Sequence, residues 1–142
     1  MTKTYWHISF EVAGELAEGT EMDTSVHPPR VTRLHHRFGG WLGDDVVECV
    51  PCYLVTEGVA NVLEGSALSG FELDDVEISK SPEFDEMYPG RQLPRFRWLK
   101  ITATQPNEAD FRIAQEARLE LSDAALALLR GARIDQASIE RA

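Results

Sequence analysis

The chain has little of what marks a catalytic, metal-binding or membrane protein. Two cysteines in 142 residues give no disulfide framework. No run approaches the roughly 20 apolar residues that cross a bilayer. The opening Met1-Thr2-Lys3-Thr4-Tyr5-Trp6 has no apolar signal core, so a cytoplasmic protein is expected. Basic residues are scarce, 14 against 24 acidic ones for a net charge of −10. Unspecific nucleic-acid binding needs cations to displace phosphate counterions, and anionic membranes attract basic segments, so neither partner is expected. No HExxH, phosphate-binding glycine loop or Ser-His-Asp pattern occurs. No catalytic residue, metal ligand or cofactor is assigned.

What the chain does have is the balance of a globular protein, 43% hydrophobic and 27% charged. Its length suits one domain, 1–142, with a real core. It also carries one short pattern twice. Val55 to Gly65 lies over Leu121 to Gly131 at a constant offset of 66 residues without a gap. Each copy has a hydroxyl residue suited to N-capping, Thr56 or Ser122, and then an acid in the first turn. Apolar residues follow at helical spacing, Val59, Val62 and Leu63 in one copy and Ala125, Leu128 and Leu129 in the other. A glycine closes each copy where a helix end can turn left-handed. Leu68 and Ile134 hold the register further, and strands are expected at Val76-Glu77-Ile78 and Ala137-Ser138-Ile139-Glu140. The reading is a strand–helix–strand unit at 53–78 and again at 119–140, with Val62, Leu63, Leu128 and Leu129 buried.

Tyr5 to Val12 alternates as one strand, Trp6, Ile8, Phe10 and Val12 on one face. From Ala13 to Glu48, glycines and Pro28-Pro29 interrupt regular structure. Val46 to Val55 reads as a strand with an edge or bulge at Pro51. Ser81 to Gly90 reads as an acidic loop or single helical turn. Gln92 to Thr104 is a long strand whose apolar phase shifts between Trp98 and Leu99, which a bulge or burial on both faces would produce. The expected class is α+β, with a central mixed or antiparallel sheet, two short repeat-related helices, and room for a third helix in the first half.

Cys49-Val50-Pro51-Cys52 is a CxxC, and Pro94 stands where a thioredoxin-like domain places its cis-proline. A thiol–disulfide oxidoreductase is therefore the alternative function, although the strand reading leaves both cysteines before the helix cap, pointing to different places. His35 and His36 with Cys49 and Cys52 would be a poor zinc set, since adjacent histidines seldom share one ion. Asp74, Asp75 and Glu77 with Lys80 miss the nuclease spacing by one residue. A small-ligand domain in the glycine-rich first half is a further alternative. Recognition suits the remaining pattern better: Trp41 and Tyr88 as aromatic anchors, with Tyr53 and Trp98 also considered, and Asp44, Asp45, Glu83, Asp85 and Glu86 as an acidic surround.

Gly43-Asp44-Asp45, Tyr53-Leu54-Val55-Thr56-Glu57, Leu68-Ser69-Gly70-Phe71-Glu72, Val76-Glu77-Ile78-Ser79, Leu93-Pro94, Phe96, Trp98-Leu99 and Leu121-Ser122-Asp123 together resemble a bacterial family. That family is similar to immunity proteins of polymorphic-toxin systems, the double-CXXCG type among them. The resemblance spans about residues 31 to 140, mostly at fold-forming positions. The chain departs from it with one CxxC followed by Tyr53 rather than glycine, so no metal role carries over. The resemblance implies a small cytoplasmic protein that neutralises a cognate toxin, and the acidic surround implies a basic surface on that partner.

Overall fold

A computed structural model describes residues 3–26, 29–49 and 51–142; Met1, Thr2, His27, Pro28 and Val50 lie outside them. The Tyr5–Val12 alternation is not one strand. Tyr5–Ser9 forms β1 and Glu11–Val12 forms β2, with a break at Phe10. The Phe10 N–H donates to the Glu48 carboxylate, so it is lost to a strand ladder while remaining satisfied. Beyond the break the pattern inverts, with Glu11 buried and Val12 70% exposed. Strands β3 (Gly14–Leu16), β4 (Glu21–Asp23), β5 (Arg30–Arg33), β6 (His35–Phe38), β7 (Val46–Cys49) and β8 (Cys52–Thr56) follow, then helix α1 (Glu57–Glu64). The second half is β9 (Phe71–Asp74), β10 (Glu77–Lys80), α2 (Pro82–Met87), β11 (Phe96–Ile101), β12 (Phe111–Ile113), a 3-10 turn, β13 (Leu119–Ser122), α3 (Asp123–Arg130) and β14 (Ser138–Arg141).

The class is α+β, but the strands are shared among several sheets rather than gathered in one. Five strands run in the order β2-β7-β8-β11-β9, four in the order β12-β13-β1-β14, and three in the order β10-β6-β3, beside a β4–β5 ribbon. The third helix is α2, in the second half rather than the first, at the segment read as a loop or single turn. Pro82 at its first turn and the Ser81 hydroxyl, which accepts from Phe84 N–H at 3.1 Å, start it.

The five-stranded sheet separates two cores. Val46, Tyr53, Val55 and Leu99 face the four-stranded sheet and helices α1 and α3. Val47, Cys52, Leu54, Phe96 and Trp98 face Phe38 of β6 and Phe84 of α2. The register of β11 against β8 and β9 is unbroken from Phe96 to Ile101, so the phase shift at Trp98 and Leu99 is burial on both faces and not a bulge.

The units β8-α1-β9 and β13-α3-β14 share one topology. β8 and β9 flank β11, and β13 and β14 flank β1, every pairing antiparallel. β1 thus fills in the second unit the place that β11 fills in the first. The register carries the 66-residue offset: Phe96 opposes Thr56 and Tyr5 opposes Ser122, while Leu99 opposes Leu73 and Ile8 opposes Ile139. The counterpart of β14 is therefore β9, and not the Val76-Glu77-Ile78 segment. Glu77–Lys80 departs as β10 to pair in parallel with β6.

Three further expectations change. Leu63 and Leu129 are fully buried, but Val62 is 57% exposed and Leu128 is half-buried. Each eight-residue helix buries only a narrow stripe, Val59, Ala60 and Leu63 or Ala125, Leu126 and Leu129. Val62 and Leu128 instead line the groove between the helices. Gly65 and Gly131 are right-handed, at φ −80° and −76°, so neither helix ends in a left-handed turn. Thr56 occupies the N-cap position without a side-chain cap bond, whereas the Ser122 hydroxyl accepts from Ala125 N–H at 3.2 Å.

Candidate functional site

Asp44 and Asp45, expected at a recognition surface, hold the two units together. Asp45 accepts from the Thr56 hydroxyl at 3.1 Å and from Arg133 N–H at 2.8 Å, and its own N–H donates to Arg133 C=O. Asp110 does the same in reverse. It accepts from the Ser122 hydroxyl at 2.7 Å and from Ser69 N–H at 3.0 Å, and Phe111 N–H donates to Ser69 C=O. Each aspartate therefore joins its own unit's helix cap to the loop behind the other unit's helix. Gly70, at φ +95°, closes one clasp: a Cβ there would stand 2.0 Å from the Phe111 carbonyl oxygen. Asp44 is 1% exposed, and its two oxygens accept from Asp135 and Gln136 N–H at 3.1 and 2.8 Å. That burial removes Asp44 from any recognition surface. Nothing local in the sequence signals the clasps, because their partners lie 41 and 88 residues away.

The other predicted residues converge. Trp41 is half-buried; its indole N–H donates to Asp44 C=O at 2.9 Å and its ring meets Phe96 edge-on. Tyr88 caps α2 and packs on Phe84 at 5.3 Å. Between them stands Arg91, its guanidinium 4.9 Å from the Trp41 ring centre and 5.2 Å from that of Tyr88. Each such cation–π contact is worth about 0.5–2 kcal/mol. No carboxylate among the described residues pairs with Arg91. Its position after the Pro89-Gly90 turn carried no motif that would have singled it out.

Glu83, Asp85 and Glu86 are exposed on α2. Glu83 and Asp85 lie in the first turn, where they also serve the helix dipole. Asp85 is partly neutralised by Lys80, whose amino group is 3.4 Å away and also donates to Arg91 C=O. Glu83 and Glu86 are the acids left for a partner. Leu42 and Met87, next in sequence to Trp41 and Tyr88, are exposed large apolar residues that composition did not single out. Tyr53 and Trp98, by contrast, are core residues.

Cys49 and Cys52 are free, buried, and directly opposed across the β7–β8 hairpin rather than pointing apart. Burial, with Glu15 and Glu48 nearby, pushes the Cys49 thiol up to about 11, and burial with Cys49 nearby pushes Cys52 up to about 12. Redox thiols need the opposite environment. The cis peptide bond among the described residues precedes Pro106, not Pro94. His36 is fully buried against Phe38, with ring centres 4.4 Å apart. The described residues contain no group of three or more potential metal ligands, so His35, His36, Cys49 and Cys52 do not form a zinc set. No helix among the described residues is long and apolar enough to cross a membrane. The chain matches no family model, no curated protein and no solved structure.

Proposed function

We propose that the chain is a non-enzymatic binding protein, an immunity protein that neutralises a cognate bacterial toxin. Its partner face is the Trp41–Arg91–Tyr88 stack with the outer side of α2. The stack carries the reading: tryptophan, arginine and tyrosine are the residues that dominate interface energies, and here a guanidinium that no described carboxylate pairs is held between two rings. Leu42 and Met87 add apolar area. Glu83 and Glu86, which no described cation pairs, add negative charge for a basic surface on the toxin, the sort that grips a phosphate-bearing substrate. The partner's class rests on the resemblance of residues 31 to 140 to immunity proteins.

The test is protection of cells expressing the toxin encoded beside this gene. Wild type should protect, and the double variant Tyr88→Ala with Arg91→Ala should protect poorly while folding normally by circular dichroism. Full protection by that variant would move the interface elsewhere, and no protection by wild type would remove the toxin from the account.

A further inference from the structure

A polar cavity of about 220 Å³ lies where the β7–β8 hairpin meets β1, β14 and the start of β13. Glu48 and Tyr53 oppose each other on β7 and β8, so their side chains share one face of the sheet. Both are more than nine-tenths buried. One Glu48 oxygen accepts the Phe10 N–H at the break between β1 and β2. No described donor reaches its other oxygen, and no described residue hydrogen-bonds the Tyr53 hydroxyl; both residues line the cavity. Ser9 and Ser138 add hydroxyls, and the Arg118–Glu140 ion pair stands at the rim. Ala117, also lining it, has φ +58°, the one non-glycine residue at positive φ among the described residues. Such a conformation persists only where its surroundings hold it.

The free Glu48 oxygen and the Tyr53 hydroxyl are not among the polar atoms shut off from solvent without a partner, so the cavity they line is where they meet it. Burial pushes the Glu48 carboxyl up, against the Phe10 hydrogen bond, and burial with Glu48 nearby pushes the Tyr53 phenol up. Folding alone does not call for a carboxylate here, because a glutamine would serve Phe10 N–H equally well.

We propose that this cavity binds a small organic ammonium ion, its charged nitrogen on Glu48 and its remaining atoms against Tyr53, Ser9 and Ser138. Arg118, the lining cation, is engaged by Glu140, so the unbalanced charge of the cavity is negative. The groups facing inward offer acceptor lone pairs, which suit the three donors of an ammonium group. A carboxylate ligand would meet Glu48 and Glu140 as like charges. A hard metal ion would need six or more oxygen ligands, and the site offers one deep carboxyl. The volume falls below the roughly 300–1,000 Å³ of clefts for drug-sized ligands, and since about 150 Å³ accommodates benzene it limits the guest to about ten heavy atoms.

Titration of the full chain with ethanolamine and methylammonium, followed by amide NMR shifts, tests this. Acetate and glycerol serve as controls of similar size. Both amines should shift the Phe10 and Tyr53 amides saturably, and neither control should. Glu48→Gln, which keeps the acceptor for Phe10, should weaken ethanolamine binding at least tenfold. If that variant does not fold, Tyr53→Phe should weaken binding by a smaller factor. Absence of saturable amine shifts, equal response to acetate or glycerol, or undiminished binding in the folded variants would overturn the assignment.

Discussion

His36 is fully buried in β6, and neither of its ring nitrogens meets a hydrogen-bond partner among the described residues. Burial, with a smaller contribution from neighbouring His35, lowers its pKa to about 4. Between pH 6.5 and 4 the unfolded chain accepts a proton that the folded chain refuses, so stability falls as pH drops through that window. Glu48 works in the opposite sense: its folded pKa is raised, so its contribution is present at low pH and is lost as pH rises. Comparison with His36→Leu separates the two. From pH 7 to 5 the wild type should lose about 2 kcal/mol more than the variant in chemical denaturation, and equal losses would contradict the burial argument. The raised thiols give a second expectation. Cys49 and Cys52 should resist a thiol reagent at pH 8 in the native protein and react once denaturant is added; prompt native labelling of either would contradict their burial.

At the scale of elements, the two helix starts look alike in sequence but are stabilised differently. Ser122 caps α3 and also donates to Asp110. Burial pushes Asp110 up, but Ser122, Ser69 N–H and Lys3 outweigh it and hold its pKa below the ordinary value. The Thr56 hydroxyl bonds to Asp45 and, among the described residues, caps no helix N–H. Ser122→Ala should therefore cost about 1–2 kcal/mol and Thr56→Ala distinctly less, as read from denaturation midpoints; equal costs would contradict the difference in geometry. The cap positions were legible because capping is local. The aspartates that answer them were not, because each clasp joins residues from different units. β14 was legible from its own residues, while the alternating Val76-Glu77-Ile78 pattern points to the wrong counterpart in the first unit. Only sheet pairing distinguishes β9, which stays beside β11, from β10, which leaves to join β6.

Over the whole molecule, α+β character and the 66-residue offset could be read from periodicity. The split of the first strand between two sheets could not, because it falls where a distant carboxylate takes the Phe10 N–H from the strand ladder. The candidate partner face was half legible. Trp41, Tyr88 and the α2 acids announce themselves by type, but only the fold removes Asp44, offsets Asp85 with Lys80 and inserts Arg91 between the rings. The proposed division of labour is that the stack holds the partner while Glu83 and Glu86 draw it in. Rim charges act mainly on association, and that action is screened by salt. The most direct measurement is binding kinetics against the proposed toxin partner, over a range of salt, for wild type, Glu83→Lys with Glu86→Lys, and Tyr88→Ala. The charge reversal should slow association and flatten its salt dependence with little change in dissociation. Tyr88→Ala should speed dissociation by a factor equivalent to about 2 kcal/mol. Association that is unaffected by salt and by both changes would contradict the account.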